Sequence, residues 1–516
     1  MCYRVSSGHG ADGESAMKSE LRKGATYNYL NLLLVNATGL VLTPFIIRCL
    51  GPSQYGLYLL AGAIVPYLTL LDFGLGKTTT RYVAYYRERG DEEGLRACLA
   101  SIFRLCVLLC AVLLAAGASL YFLAPQLWGS HFDSEEMASM RRMIAVIAVT
   151  QAFIIPGNIF TAICNGCGLF AFPRGIQPIK YTLRAVCIGL LLWHGEKALA
   201  LICVDAALNI GVVIATFLYV RRRIVWPSLR EAATMPLNHI LPYAFWIAIY
   251  QATAAFQWNT GQIVAGMTHD SLAVGVAGVG ILLGCMYGYF AETINRMLLP
   301  RATHTVCLHA DKRLVTDEMI RMGRMVLLPQ SFILGGFVIF GGSFVRLWAG
   351  DMYGQAYPIA LAIMASWTVQ LTGDYGNSLL EAHGKVRTLS VINFICIFAA
   401  AIASYYASRQ WGLGGMTAAL CCGTIAATIA NHIYYRKRLG VESGRYFKAV
   451  YMRIIVATVV TAALGRMVWE PFAASCNWIG LATGCAAYAL IYASASYFIA
   501  LTQQEREKLR TLCLRK

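Results

Sequence analysis

Long apolar stretches, each about 20 residues, recur along the whole chain and are separated by short charged or Gly/Pro-containing runs. A helix of about 20 residues reaches ~30 Å, the thickness of a bilayer's hydrocarbon core, so each stretch predicts a membrane-crossing helix. Bounding the blocks by charges, Gly and Pro places spans near 26–47, 55–76, 98–122, 142–165, 177–194, 198–220, 239–266, 271–295, 322–345, 356–379, 387–407, 412–435, 449–468 and 476–500. The predicted fold class is an all-α polytopic membrane protein with about 14 transmembrane helices. Its expected organisation is a cytoplasmic N-terminal segment 1–25, disordered at its start, a first lobe over 26–220 (helices 1–6), a cytoplasmic linker 221–238 and a second lobe over 239–435 (helices 7–12). Two additional helices over 436–500 and a cytoplasmic tail 501–516 complete it.

Charge supports this reading and orients it. Hydrophobic types make up 58% of the 516 residues and charged types only 13%, against about a quarter in soluble domains, which argues against a soluble enzyme. The net charge of +17 comes from short loops, not from a basic domain with interleaved aromatics, so it points to anionic lipid headgroups and away from nucleic acid. Placing the N-terminus in the cytoplasm leaves only Arg48, Arg141, Arg142, Lys197, Arg346, Arg409 and Arg466 outside, of 43 Lys and Arg. Inside runs include Arg221-Arg222-Arg223 and Arg436-Lys437-Arg438. The positive-inside rule therefore predicts an even number of spans with both ends cytoplasmic.

No loop offers room for a separate catalytic domain. The internal segments 82–93 and 301–318 read as amphipathic extensions at the cytoplasmic interface, serving either as couplers between spans or as solvated helix ends. The 17 cysteines are scattered through apolar blocks without a His-spaced cluster, so they read as packing residues, and no metal site or cofactor is predicted. The first block is too long for a secretory signal and is expected to remain as a span. Met17 opens a charged lead-in, Met-Lys-Ser-Glu-Leu-Arg-Lys, and is an alternative start to Met1.

Two regions, 46–91 and 262–311, share a weak pattern: a span, a short outside turn, a Gly-rich span, then basic residues and an inside Asp. An offset of six spans makes both copies cross in the same direction, as parallel transporter repeats do. The first copy carries the specific string Phe45-Ile-Ile-Arg48-Cys-Leu-Gly51-Pro52-Ser-Gln-Tyr55-Gly56-Leu-Tyr58, then Leu70-Leu-Asp72-Phe-Gly74-Leu-Gly76 and Arg81-Tyr-Val-Ala. This closely resembles the oligosaccharide (O-antigen type) flippases of the multidrug, oligosaccharidyl-lipid and polysaccharide exporter superfamily. The resemblance implies two six-span lobes, a central cavity, two extra C-terminal spans, and alternating access that moves an undecaprenyl-pyrophosphate-linked glycan outward in a bacterial inner membrane. It implies partners in lipid-linked oligosaccharide and the polysaccharide assembly machinery, besides membrane lipids, with H+ or Na+ as coupling ion. The chain departs from the family at the end of the seventh span, where an Asp-Arg pair gives way to Trp258-Asn259-Thr260-Gly261-Gln262, which puts ion coupling through that acid in doubt.

A carrier for such a lipid needs cations for the phosphates in a polar cleft open sideways to lipid, and ionisable groups inside spans are costly enough to mark candidate sites. Glu292 and Arg296 lie one turn apart on one face of the eighth span, either as a structural ion pair or as a cavity gate. Asp72, Lys77 and Arg81 form a polar strip descending to the inner surface, lining the cavity or positioning a neighbouring helix. Arg104 and Arg184 enter spans from the inner side, as phosphate contacts or as snorkelling cations. Asp205 and Asp374 sit deeper, where a carboxylate pairs with a cation or takes up a proton, so either could carry ion coupling. Arg48, with Gly51, Pro52, Tyr55 and Gly56, reads as an outer gate or turn, with an interfacial snorkelling cation as the alternative for Arg48. Asn28, Asn31 and Thr38 on the first span, and Gln251, Trp258 or Asn259, and Gln262 on the seventh, make polar stripes suited to sugar, or else bond neighbouring helices.

Other signals fail on spacing. Gly74-Leu-Gly76-Lys77-Thr78 lacks the first glycine and the strand of a phosphate loop, and no nucleophile, acid pair or metal cluster converges. The expectation is a transporter with no covalent chemistry. A cation-coupled multidrug exporter of the same superfamily is the first alternative, and a membrane glycosyltransferase or polymerase, which would carry a large outer loop, is the second.

Overall fold

A computed structural model describes residues 11–223, 241–295, 298–307, 312–383, 385–473, 476–503 and 505–507. All regular secondary structure among them is helical. In chain order the helices are α1 (Ala11–Thr69), α2 (Leu75–Arg89), α3 (Glu92–Trp128), α4 (Ser134–Gly166), α5 (Ala171–Trp193), α6 (Ala198–Arg223), α7 (Leu241–Thr268) and α8 (Ser271–Asn295). There follow α9 (Leu299–Cys307), α10 (Lys312–Ala349), α11 (Ala356–Thr372), α12 (Asp374–Ala382), α13 (Val386–Leu439), α14 (Ser443–Trp469) and α15 (Trp478–Ala495).

Fourteen crossings follow once two long helices are read as pairs. Helix α1 turns at Gly51, whose φ of 74° and ψ of 170° leave helical geometry. Glycine adopts that backbone without steric cost, and Pro52 starts the next segment with its φ already set. Helix α13 breaks likewise at Trp411 and Gly412. Helices α11 and α12 together make one crossing; of the segments read as amphipathic extensions, 82–89 lies in α2 and 301–307 in α9, while 308–311 falls outside the described residues and 312–318 begins α10.

Local chemistry accounts for the element ends. Asp91 caps α3 by accepting from the Gly94 amide at 2.7 Å, with Glu92 and Glu93 in the first turn where the helix dipole favours acids. Asp133 and Glu136 form a capping box at the start of α4. Asn477 caps α15 through the Gly480 amide at 2.8 Å. Inside the spans the hydroxyls bond their own helix, as Thr79 does to the Leu75 carbonyl at 2.7 Å, which removes the cost of a hydroxyl in hydrocarbon.

The chain divides into two compact units, Met1–Ala255 with Gly266–Gly275, and Phe256–Ala265 with Val276–Lys516. The division therefore runs through α7 and α8. Most of the expected linker, from residue 224 on, lies outside the described residues. Within the first unit α4 packs on α3, α6 and α2, and α1 on α5. Within the second unit the two additional helices, α14 and α15, pack on α10. Lipid tails are as apolar as leucine, so these contacts depend on close approach and polar bonds more than on a hydrophobic drive. Gly117 accordingly faces Ala148 across α3 and α4, and Gly423 faces Ala400 across the two arms of α13.

One expectation is corrected at the N-terminus. Residues 11–16, expected to be disordered, are helical and run without a break into the first span. Another correction concerns the second span, which was read as continuous over 55–76. It breaks at residues 70–74, where Leu70–Asp72 form a 3-10 turn and Phe73 (φ 47°) and Gly74 (φ 69°) are both left-handed. A phenylalanine in that region is strained.

Candidate functional site

Each unit carries a buried polar cluster where a helix breaks. In the first unit Asp72 ends the 3-10 turn, and its Oδ2 accepts from the Asn158 side chain of α4 at 3.2 Å. Its other oxygen, Oδ1, is buried without a hydrogen-bond partner among the described residues. In the second unit the arrangement returns with the groups exchanged. Asn295, the last residue of α8, donates to Asp374 Oδ2 at 3.2 Å and to the Leu371 carbonyl at 3.0 Å, and its own Oδ1 is buried and unpartnered. Asp374 opens α12, and Asn377 donates to its Oδ1 at 2.6 Å. Tyr435 of α13 donates to Asn377 in turn, and Glu292, one turn before Asn295, acts electrostatically on Asp374.

These two places correspond in the fold. Asp72 precedes α2 as Asn295 precedes α9, and Asn158 stands eight residues before the end of α4 as Asp374 stands eight before the end of α12. Helix α2 packs on α4, and α9 on α12. The weak repeat over 46–91 and 262–311 thus has a chemical counterpart: one carboxylate and one carboxamide meet in each unit where a span is interrupted.

A second cluster in the first unit joins α1, α5 and α6. Arg184 holds Asp205 through two nitrogens, Nε to Oδ1 at 2.5 Å and Nη2 to Oδ2 at 3.0 Å. Its Nη2 also donates to the Tyr58 hydroxyl at 2.7 Å. Such fork-on-carboxylate geometry is the strong form of an ion pair. Both side chains keep 26% of their surface accessible. One turn before Arg184, Lys180 donates to Asn209 at 3.3 Å. With all three ionised groups charged, two cations against one carboxylate leave this cluster positive. Asp205, read as pairing with a cation or taking up a proton, is paired with Arg184, and Tyr58 and Lys180 were not anticipated.

The motif around Gly51 has a definite structural task in the same unit. A Cβ on Gly56 would stand 1.8 Å from the Ser271 carbonyl oxygen, so only glycine permits the approach of α1 to the start of α8. Tyr55 beside it is buried. Glu136 of the capping box receives the hydroxyls of Ser53 and of Ser271, the latter at 2.7 Å, tying the Pro52 turn to α4 and α8. Sequence reasoning missed Glu136, although its place three residues after Asp133 was a signal for a cap. Arg48 is exposed on the turn before Gly51.

The remaining expected residues are less concentrated. Lys77, Arg81 and Arg104 are exposed on their helices. Asn31 Oδ1 and Gln251 Nε2 are buried without partners among the described residues, the condition of groups that await one. Asn259 and Gln262 fall in the second unit, apart from Gln251 in the first. Trp258, read as a sugar platform, is packed against Trp367 and Tyr289 beside a cavity of about 30 Å³ lined also by Gln257, Ser366 and Thr424, room for one water. Arg296 and the Asn28 side chain lie outside the described residues. No group of three His, Cys, Asp or Glu suited to a metal occurs among the described residues.

Comparison with known proteins adds identity to geometry. The family model described as polysaccharide biosynthesis protein matches residues 21–282, a little over half of the chain. A membrane protein of Bacillus subtilis, EpsK, is 20% identical over 90% of this chain and 92% of its own length. A Shigella flexneri protein that carries an O-antigen transporter name is 19% identical over 76% of this chain and 92% of its own. Among solved structures, the lipid II flippase MurJ in an inward closed conformation superposes with a TM-score of 0.73 at 13% identity, covering 92% of this chain and 98% of MurJ. An inward-facing multidrug transporter of the MATE family in the MOP superfamily superposes at 0.66 and 13% identity, covering 81% and 94%. The fold is that of these transporters.

Proposed function

Because the chain belongs to the polysaccharide biosynthesis protein family, we propose that it carries undecaprenyl-pyrophosphate-linked oligosaccharide from the inner to the outer leaflet of a bacterial inner membrane. The unit carried serves surface polysaccharide assembly, whether O-antigen, capsule or exopolysaccharide. Both termini are cytoplasmic in this reading, as the basic loops require.

The observation that carries the proposal is the Arg184–Asp205–Lys180 cluster. A pyrophosphate cannot enter hydrocarbon without cations, and unpaired cations cannot wait there without cost. Arg184 resting on Asp205 resolves both demands: the carboxylate holds the guanidinium until phosphate competes for it, and Lys180 supplies the surplus charge. Protonation of Asp205, or a cation bound to it, would free Arg184 for substrate, which makes Asp205 the coupling acid of the first unit. Asp374, held by the carboxamides of Asn295 and Asn377, is the candidate coupling acid of the second unit. The interruption at 70–74 acts as a bending point of alternating access, since its backbone leaves the regular helical ladder.

The test is outward exposure of lipid-linked glycan by the protein reconstituted in vesicles, with Arg184→Gln, Asp72→Asn and Arg296→Ala beside the wild type. Loss of exposure in Arg184→Gln with retained folding supports the assignment. Normal exposure in all three would overturn the site, and efflux of cationic drugs without glycan movement would favour the multidrug reading instead.

A further inference from the structure

A second polar cleft lies in the second unit where α10 and α14 end and α11 begins. It has a volume of about 330 Å³ and is lined by Ser343, Arg346, Tyr357, Arg466, Trp469 and Glu470 among others. Neither guanidinium has a carboxylate partner within ion-pair distance among the described residues. Arg346 Nη2 donates to the Ala473 carbonyl at 2.6 Å. Arg466 Nη1 shares its donation between the Val338 carbonyl at 3.4 Å and the Tyr357 hydroxyl at 3.3 Å. An arginine has five N–H donors, so most of both forks remain open to the cleft. Ser343 and Trp469 are bonded to each other across it, Nε1 to Oγ at 3.2 Å, which fixes the indole as one wall.

The charge of the cleft is mixed. Two guanidiniums stand against the Glu470 carboxylate and against the C-termini of α10 and α14, each worth about half a negative charge. The local sum is near zero but strongly dipolar, which suits a headgroup that is itself zwitterionic better than a free anion. Along the last turns of α14, Leu464, Met467 and Val468 are 60%, 74% and 69% exposed, and Phe472 follows at 61%. At about 3.6 residues per turn these side chains lie on the face of α14 turned away from Arg466, Trp469 and Glu470, so the cleft opens at the end of a span whose other face is apolar and exposed, which matches an amphiphile with its charged head in the cleft and its acyl chains in the surrounding bilayer.

We infer that this cleft is a binding site for a phospholipid whose headgroup carries both phosphate and ammonium, with the phosphodiester on Arg346 and Arg466 and the ammonium on Glu470. In the orientation proposed above it faces the outer leaflet. The site uses none of the residues assigned to glycan transport, so it stands or falls separately from that reading. Its place between α14 and the α10–α11 pair makes the lipid a wedge that holds the additional helices against the rest of their unit.

Native mass spectrometry of the detergent-purified protein tests this, with phosphatidylethanolamine, phosphatidylglycerol and diacylglycerol added separately. The wild type should retain phosphatidylethanolamine at least tenfold better than diacylglycerol and several-fold better than phosphatidylglycerol. The double variant R346Q/R466Q should lose the first preference and Glu470→Gln the second. Arg409→Gln, an exposed arginine on α13, should change neither. Equal retention of all three lipids by the wild type would overturn the site without relying on any variant. So would displacement of the lipid by millimolar inorganic phosphate, the mark of a free-anion site, or unchanged lipid retention in the folded double variant.

Discussion

Asn158 donates to Asp72 across 3.2 Å, and in the other unit Asn295 donates to Asp374 across the same distance, with acid and amide exchanged between the interrupted span and its neighbour. One contact has therefore been kept in two places while its chemistry was inverted. What the fold needs there is a hydrogen bond between α2's leading turn and α4; which helix brings the charge is secondary. The exchange predicts a rescue. Asp72→Asn should impair transport, and the double change Asp72→Asn with Asn158→Asp should recover folding and part of the activity, because it copies the arrangement of the second unit. A double-mutant cycle on thermal stability should show a coupling of about 0.5–3 kcal/mol. Additive losses would mean that the two side chains do not depend on each other.

Gly56 makes a sharper prediction about the motif. Its substitution by alanine puts a methyl 1.8 Å from a backbone oxygen of Ser271, and backbone cannot give way as a side-chain tip can. Gly56→Ala should destabilise the protein by at least about 1–3 kcal/mol, the usual range for overpacking. Gly62→Ala, six residues on with nothing within 4 Å of the added carbon, should be neutral or slightly stabilising. Thermal unfolding of the two variants in detergent gives the comparison directly.

The number and order of crossings were legible because each block had to be about 20 apolar residues long whatever it packed against. The interruption at 70–74 was not, because Leu70-Leu-Asp-Phe-Gly74 is nearly as apolar as a continuous helix, and only the two glycines after Asp72 hinted at a break. Pairings between helices were the least visible. Arg184 and Asp205 are 21 residues apart and were each picked out by the cost of charge in a membrane, but nothing in that cost says which acid meets which base. Arg324 passed unnoticed as one more charge near a span end. It is only 4% exposed, forks onto Glu505 at 2.9 and 2.8 Å, and donates to the carbonyls of Ala449 and Ala500 at 2.9 and 2.7 Å. Its partner lies 181 residues away.

That latch makes the C-terminal segment sensitive to acid. Burial raises the pKa of Glu505, but hydrogen bonds from Arg324 and from the Thr502 amide outweigh it and bring the carboxyl below the ordinary glutamate value. A carboxyl lowered in the folded state contributes stability that is complete above its unfolded value, about 4.3, and is lost as pH falls through the lowered folded value. Wild type should therefore be more stable than Glu505→Gln at neutral pH, with the difference vanishing on acidification below about pH 4.3. Arg324→Ala should cost toward the lower end of ~3–5 kcal/mol, since the Glu505 side chain left behind is 31% exposed and partly rehydrates. Limited proteolysis of the residues after Ala500, followed against pH, reads the release of the latch itself.

The Arg184–Asp205 pair allows stability and function to be separated. Arg184→Gln leaves Asp205 without its cation, and Asp205→Asn leaves Arg184 beside Lys180 with no carboxylate between them, so each single change should destabilise. Together they remove both charges and should cost less than the sum, with a coupling of about 1–3 kcal/mol for groups in direct contact. The functional signs differ. Asp205→Asn releases the guanidinium permanently, so a lipid pyrophosphate should bind more tightly and be released more slowly, raising affinity while turnover falls. Arg184→Gln should lower both. Binding measured by tryptophan fluorescence and turnover measured in vesicles give the two signs independently; if Asp205→Asn weakened binding as Arg184→Gln does, Asp205 would be no more than a support for the arginine and could not be the group whose titration drives the cycle.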